Sequence, residues 1–292
     1  MRIEPKHSIK DERFTIDKLH QYSLSIQVSP EYFLCCVTDK SENRCLFLED
    51  YRFDRFQDEK ELFVHLLEIF EQHSFLTAGF WNSVRLSVDT PKFALIPSTL
   101  FDSSALNDYL KWSCPIDPEQ DKLLFYHGLS NDVVGVYAIN SLLYDWVKSL
   151  YPNLKVQFFH QSIILIEACL KHAVENSKKN FLSIFKEGGI LHLVVVGEGR
   201  LQFYNQFIVP TKEKALKYIL LTMQELDLAT NVAEVMLWGN VKEQSPLFIL
   251  LNNYFDNLSF GERTPSLKLG LVFDELEDQE YHSLFNLSFI AP

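Results

Sequence analysis

The sequence predicts a two-lobed α/β protein. The order strand–strand–strand–helix–strand occurs twice, starting near Tyr22 and again near Asn180. The copies lie roughly 160 residues apart, well beyond the ~20–50-residue period of solenoids and propellers, so they read as lobes and not as repeats of an array. Three antiparallel strands followed by a helical crossover to further strands give a mixed sheet with helices packed on it. On this reading residues 1–20 are an N-terminal arm, 21–175 a first lobe carrying an inserted α/β subdomain, and 176–292 a second lobe.

In the first lobe, Tyr22 to Val28 alternates, with Leu24, Ile26 and Val28 on one side, which is the period of a half-buried strand. Ser29-Pro30-Glu31 is turn chemistry, Tyr32 to Thr38 an apolar strand, Asp39 to Asn43 a polar turn and Arg44 to Phe53 a third strand, together an antiparallel meander. From Asp58 to His73, Leu62, Leu66, Leu67, Ile69 and Phe70 recur at helical spacing behind an acidic first turn. Ser83 to Val88 and Phe93 to Pro97 are strands, and Lys122 to Leu129 and Val133 to Ile139 flank the turn Ser130-Asn131-Asp132. Asn140 starts a helix that Pro152 stops, Lys155 to Phe159 is a strand, and Ser162 is placed to cap a helix through Val174.

The second lobe opens with strands at Asn180–Phe185, Ile190–Val196 and Leu201–Ile208, turned by Gly188-Gly189 and Gly197-Glu198-Gly199. A helix is expected from Thr211 to Leu226, a strand from Glu234 to Trp238, a helix from Ser245 to Phe255, a last strand from Leu267 to Phe273 and a short helix within Tyr281–Ile290.

Composition narrows the function classes. With 47% hydrophobic residues the chain belongs with folded globular proteins, and a net charge of -12 disfavours nucleic-acid binding, which needs a basic surface. No apolar run reaches the ~18 residues of a membrane span. Met1 to His7 is charged and lacks an apolar core, so no secretory signal is expected and the predicted location is cytoplasmic. The five cysteines form no CxxC pair, and the neighbours Cys35 and Cys36 point to opposite faces of a strand, so buried reduced thiols are expected and no metal site. Only 10 glycines are present, and neither GxGxxG nor GxxxxGK[ST] occurs.

The repeated element order is that of the ribonuclease-H-like unit, and two such units in tandem resemble the actin-like ATPase fold. The segment Val133 to His172, VVGVYAINSLLYDWVKSLYPNLKVQFFHQSIILIEACLKH, resembles a stretch of the bacterial actin-like pilus-assembly and cell-division proteins. Over about residues 20–290 the chain is similar to a Bacteroidetes domain-of-unknown-function family with an actin-like ATPase fold. What this resemblance implies about chemistry turns on two phosphate-binding hairpins, each carrying Asp-x-Gly in the active ATPases. There the Asp holds the metal through water and the Gly lets backbone N–H groups reach the phosphates. In the first lobe the matching stretch is Ile26-Gln27-Val28-Ser29-Pro30, with Gln27 in place of the Asp, Ser29 in place of the Gly and a proline that removes a backbone donor. In the second lobe it is Leu182-Ser183-Ile184-Phe185-Lys186, with Ser183 for the Asp and Phe185 for the Gly. The adenosine-side glycine pair is reduced to Gly239 in Trp238-Gly239-Asn240.

Other chemistry finds little footing. No HExxH occurs, and His65 and His73, eight apart near Glu68 and Glu71, are expected on a solvated helix face. His160 reads as a hydrogen-bonded turn residue, and no GxSxG elbow is present. Asp50, Asp54 and Asp58 straddle a strand end and a helix start, where acids suit the helix dipole. Asp89 has no acidic partner in the first strand, which argues against two-metal nuclease chemistry. The sequence therefore points to a non-catalytic scaffold or partner-binding protein of actin-like ATPase fold, with no cofactor, no metal and an unidentified protein partner. The alternative is a divergent ATP-binding or sugar-kinase-like enzyme. The expected partner surface comprises the first-lobe segment Trp81–Asp117, which carries Trp112, and the acidic segment Asp274–Glu280, which carries Glu275, Glu277 and Asp278.

Overall fold

A computed structural model describes residues 3–54, 56, 59–128, 133–176, 180–230 and 233–290. The predicted helix start at Asp58 and the predicted turn Ser130-Asn131-Asp132 lie outside the described residues. The chain divides into one unit of Met1–Ile164, Pro265–Glu275 and Leu284–Pro292 and another of Leu165–Thr264 and Leu276–Ser283.

The first unit contains β1 (His7–Lys10), β2 (Tyr22–Ser29), β3 (Tyr32–Asp39), β4 (Arg44–Arg52), α1 (Glu59–Gln72), β5 (Ser83–Val88), β6 (Phe93–Pro97), α2 (Leu106–Leu110), β7 (Asp121–His127), β8 (Val133–Asn140), α3 (Ser141–Leu150) and β9 (Gln157–His160). Its main sheet runs β1-β4-β3-β2-β5-β9, antiparallel through the meander and parallel from β2 onward. The N-terminal arm enters this sheet: β1 pairs with β4, and Phe14 and Leu19 join the core. That core gathers Leu24, Ile26 and Val28 of β2 against Leu66, Ile69 and Phe70 of α1, with Phe33, Trp81 and Tyr151. The half-buried alternation expected for Tyr22–Val28 is corrected, because Ser23, Ser25 and Gln27 on the opposite side are buried too. The inserted subdomain is the sheet β6-β8-β7, with α2 on one face over Val136 and Ala138. Asn140 caps α3, its Oδ1 accepting from the Leu142 and Leu143 amides.

After α4 (Gln161–Glu175), in which the boundary between the units falls, the second unit contains β10 (Phe181–Glu187), β11 (Ile190–Gly197), β12 (Arg200–Ile208), α5 (Lys212–Glu225), β13 (Val235–Gly239), α6 (Pro246–Asn252) and β14 (Leu258–Phe260). Its sheet order, β12-β11-β10-β13-β14, repeats β4-β3-β2-β5-β9, and α5 occupies the crossover place of α1. The core packs Leu182, Ile184, Leu191 and Leu193 against Ala215, Leu216, Ile219 and Met223 of α5. The last helix, α7 (His282–Leu287), falls within the expected terminal span.

The strand expected at Leu267–Phe273 does not form. Lys268 makes one bridge to Arg44, and Leu271–Phe273 is a single 3-10 turn. At Gly270 a Cβ would stand 2.5 Å from the Arg44 guanidinium and 2.6 Å from the Asp11 carboxylate, so the chain is pinned against an ion pair there. The fifth strand is instead β14, parallel to β13.

Candidate functional site

The two hairpins that would hold phosphates in an active relative are closed by their own side chains. In the first, Gln27 is fully buried, and its amide donates to the Tyr32 hydroxyl at 3.1 Å. Tyr32 in turn donates to the Asp89 carboxylate at 3.1 Å. The Asp89 carboxylate, just past β5, is thus tied to β3. Ser29 accepts the Glu31 amide at 3.0 Å, and the Pro30 carbonyl accepts from the Phe56 amide at 3.0 Å, so the turn is occupied by its own chain.

In the second hairpin Ser183 and Phe185 are buried, and both meet Trp238 of β13. The Trp238 indole N–H donates to Ser183 Oγ at 3.4 Å, and the Phe185 ring stacks on the indole with centroids 5.7 Å apart. The His282 ring lies 3.8 Å from Trp238 and 5.7 Å from Phe185. Burial, with the neighbouring His172 adding to it, pushes the His282 pKa down to about 3, so the imidazole is neutral at physiological pH. Gly239 has φ of +99°, and a Cβ there would meet the Lys186 carbonyl oxygen at 2.2 Å. At Gly261 a Cβ would meet the Trp238 ring at 2.3 Å. Both glycines serve the close packing of this cluster.

A magnesium nucleotide does not fit these residues. Neither hairpin carries a metal-binding carboxylate at the matching position, and Phe185 packs where a phosphate cradle needs bare backbone. Beside the first hairpin lies a pocket of about 70 Å³, with apolar walls from Leu62, Phe63 and Leu66 of α1 and Leu143 of α3, and with Ser29, Asp89 and Asn140 at its polar side.

Other sequence candidates are scattered. Asp50 is buried and pairs with Arg52 at 2.8 Å, Asp54 is exposed, and Asp58 lies outside the described residues. His160 bonds Ser162 Oγ at 2.7 Å and the Thr90 carbonyl at 2.8 Å, as a turn residue would. His65 is half-buried, its ring 4.7 Å from that of Phe56, and the expectation of a solvated face is corrected for it and for His73. The His73 ring lies 2.8 Å from Glu49, a carboxylate that also accepts from Ser8 and Tyr51. Burial alone would raise the Glu49 pKa, yet the hydrogen bonds from His73, Ser8 and Tyr51 hold it below the ordinary value. No local pattern signals this cluster, since Ser8, Glu49 and His73 come from separated stretches of the chain. Among the described residues no group of three or more His, Cys, Asp or Glu is placed to hold a metal.

On the expected partner surface, Trp112 is 85% exposed. Glu275, Glu277 and Asp278 are exposed, but the segment is anchored: Leu276 and Gln279 are buried, and Gln279 donates to the Val241 carbonyl at 2.8 Å. Asp278 pairs with Arg263 at 3.3 Å and Glu277 with Lys242 at 3.7 Å.

The repeated five-strand sheet order and its inserted subdomain define a protein of actin-like ATPase fold. The chain belongs to the family described as "Protein of unknown function (DUF3822)", whose profile matches residues 11–258. A Bacteroides thetaiotaomicron protein with actin-like ATPase fold and unknown function is 19% identical, with 87% of this chain and 95% of that chain covered and a TM-score of 0.75. PilM in the PilM-PilN type IV pilus biogenesis complex is 12% identical, with 92% of this chain and 99% of that chain covered and a TM-score of 0.61. Among curated proteins none matches. No described helix is long and apolar enough to cross a membrane.

Proposed function

We propose that this chain is a non-catalytic, protein-binding member of the actin-like fold, acting in the cytoplasm. The observation that carries the reading is the Phe185–Trp238–Ser183 contact, which spends the second phosphate hairpin on core packing. The Gln27–Tyr32–Asp89 chain supports it from the first hairpin. A partner protein is favoured because PilM, which shares the fold, occurs in a complex with PilN. The five free cysteines suit a reducing compartment.

The test is thermal denaturation with and without millimolar magnesium-ATP, with tripolyphosphate as polyanion control. A ligand at ~100 times its dissociation constant stabilises by about 2.7 kcal/mol, which is several degrees for a domain of this size. No shift with ATP is expected. A clear rise with ATP and none with the polyanion would overturn the reading in favour of a divergent kinase-like enzyme.

A further inference from the structure

Two cations of the first unit converge on one carbonyl oxygen. Lys40, one residue past β3, donates from Nζ to the Ser288 carbonyl at 2.5 Å. Arg85 of β5 donates from Nη1 to the same carbonyl and, at 3.1 Å, to that of Leu287. Its Nε donates to the Gln157 side chain of β9 at 2.8 Å, so the guanidinium is held from two sides. A shared acceptor keeps the Lys40 and Arg85 nitrogens within about 5 Å of each other.

No carboxylate offsets this pair. Among the described residues no acidic side chain bonds to Lys40 or Arg85. Asp39, the acid next in sequence, is bonded to the amide and hydroxyl of Ser41. The other titratable group acting on Arg85 is the Tyr126 hydroxyl. Lys40 is half-buried, with its Nζ over the Phe289 ring, 5.7 Å from the centroid. Burial first and the Arg85 charge second lower the amine pKa to about 8. At pH 7.5 about a quarter of this amine is therefore neutral, against about one part in a thousand for an ordinary lysine. Desolvation and a neighbouring cation are two ways in which a lysine becomes a nucleophile at neutral pH.

We propose that Lys40 is a site of acylation by acyl phosphates. The neutral Nζ attacks the acyl carbon, a C–N bond forms, and the C–O bond to phosphate breaks. Inorganic phosphate leaves with the electron pair, and the amine proton passes to water. Arg85 favours this class of donor, because its Nη2 bonds to no described residue and is left to receive the departing phosphate. The product is a neutral amide, which ends the like-charge contact and keeps one N–H for the Ser288 carbonyl. This inference is independent of whether a nucleotide or a partner protein binds.

Treatment of the full chain with acetyl phosphate from pH 6.5 to 9.5, with acetylation read lysine by lysine by peptide mass spectrometry, tests it. At pH 7.5 Lys40 should react at least about tenfold faster than exposed Lys217 of α5. Its rate should level off above about pH 8, while ordinary exposed lysines still gain with each step to pH 9.5. Arg85→Met should slow the reaction at Lys40 and move its profile to higher pH, whereas Arg85→Lys, which keeps the charge, should not. Thermal melts check that both variants fold, and where a buried site does not tolerate them the wild-type profile decides alone. Equal rates at Lys40 and Lys217, or a Lys40 rate that climbs to pH 9.5 without levelling, overturn the proposal. So does a folded Arg85→Met chain with the wild-type profile.

Discussion

Phe185 stacks on Trp238 with an interplanar angle of 12°, and Trp238 bonds the Ser183 hydroxyl two residues back along β10. The two β10 side chains, Ser183 and Phe185, therefore meet the same indole. On the proposed reading, nucleotide binding here would require changing more than one side chain, because Ser183 and Phe185 pack on the same ring.

Phe185→Ala should lower stability by about 3–5 kcal/mol, the usual loss for a buried aromatic. It should not create ATP binding, since Ser183 supplies no carboxylate. Chemical denaturation and a magnesium-ATP titration on the same variant check both halves.

Gly239→Ala should destabilise by about 1–3 kcal/mol or more, since it combines a φ of +99° with a Cβ 2.2 Å from the Lys186 carbonyl oxygen. Gly199→Ala serves as control: its φ is +74°, but nothing lies within 4 Å of the added carbon. The measurement is the denaturation midpoint, and the Gly239 variant should lose clearly more.

Acid should weaken the fold in two steps. His282 has a folded pKa of about 3 against 6.5 in the unfolded chain, so between those values the unfolded state binds the extra proton. Its contribution is fully present above pH 6.5 and is lost as pH falls toward 3. Glu49, whose folded pKa is lowered, adds to the loss only below its ordinary value of 4.5. Between pH 6.5 and 4.5 the decline therefore reports His282, and His282→Gln should flatten it. Urea unfolding followed by tryptophan fluorescence over that range is the check.

Reversing Glu275, Glu277 and Asp278 to lysine should leave the chain folded. The Asp278–Arg263 and Glu277–Lys242 pairs, whose carboxylates are exposed, are worth at most about 1 kcal/mol each. Capture of basic partners from lysate should fall, and the wild-type capture should weaken with added salt. Identical capture by variant and wild type would remove this segment as the docking surface.

Local chemistry determined much of this protein in advance. The two meanders, their crossover helices and the Asn140 cap follow from hydrophobic period and turn residues, interactions that act within a few positions of one another. That Gln27, Ser29, Ser183 and Phe185 are neither acidic nor glycine was equally legible, because it is a property of each residue itself. Tertiary structure alone decided the remainder. β14 has only 3 residues and forms because β13 offers it a parallel partner. Leu267–Phe273 has strand-like composition, yet the Asp11–Arg44 pair holds Gly270 in a different path. His73 reads as a solvated helix residue until the fold brings Glu49 to it, and Phe185 finds Trp238 only when β13 aligns beside β10. Each of these depends on contacts between distant segments, which form only when burial of the shared core outweighs the entropy of bringing them together.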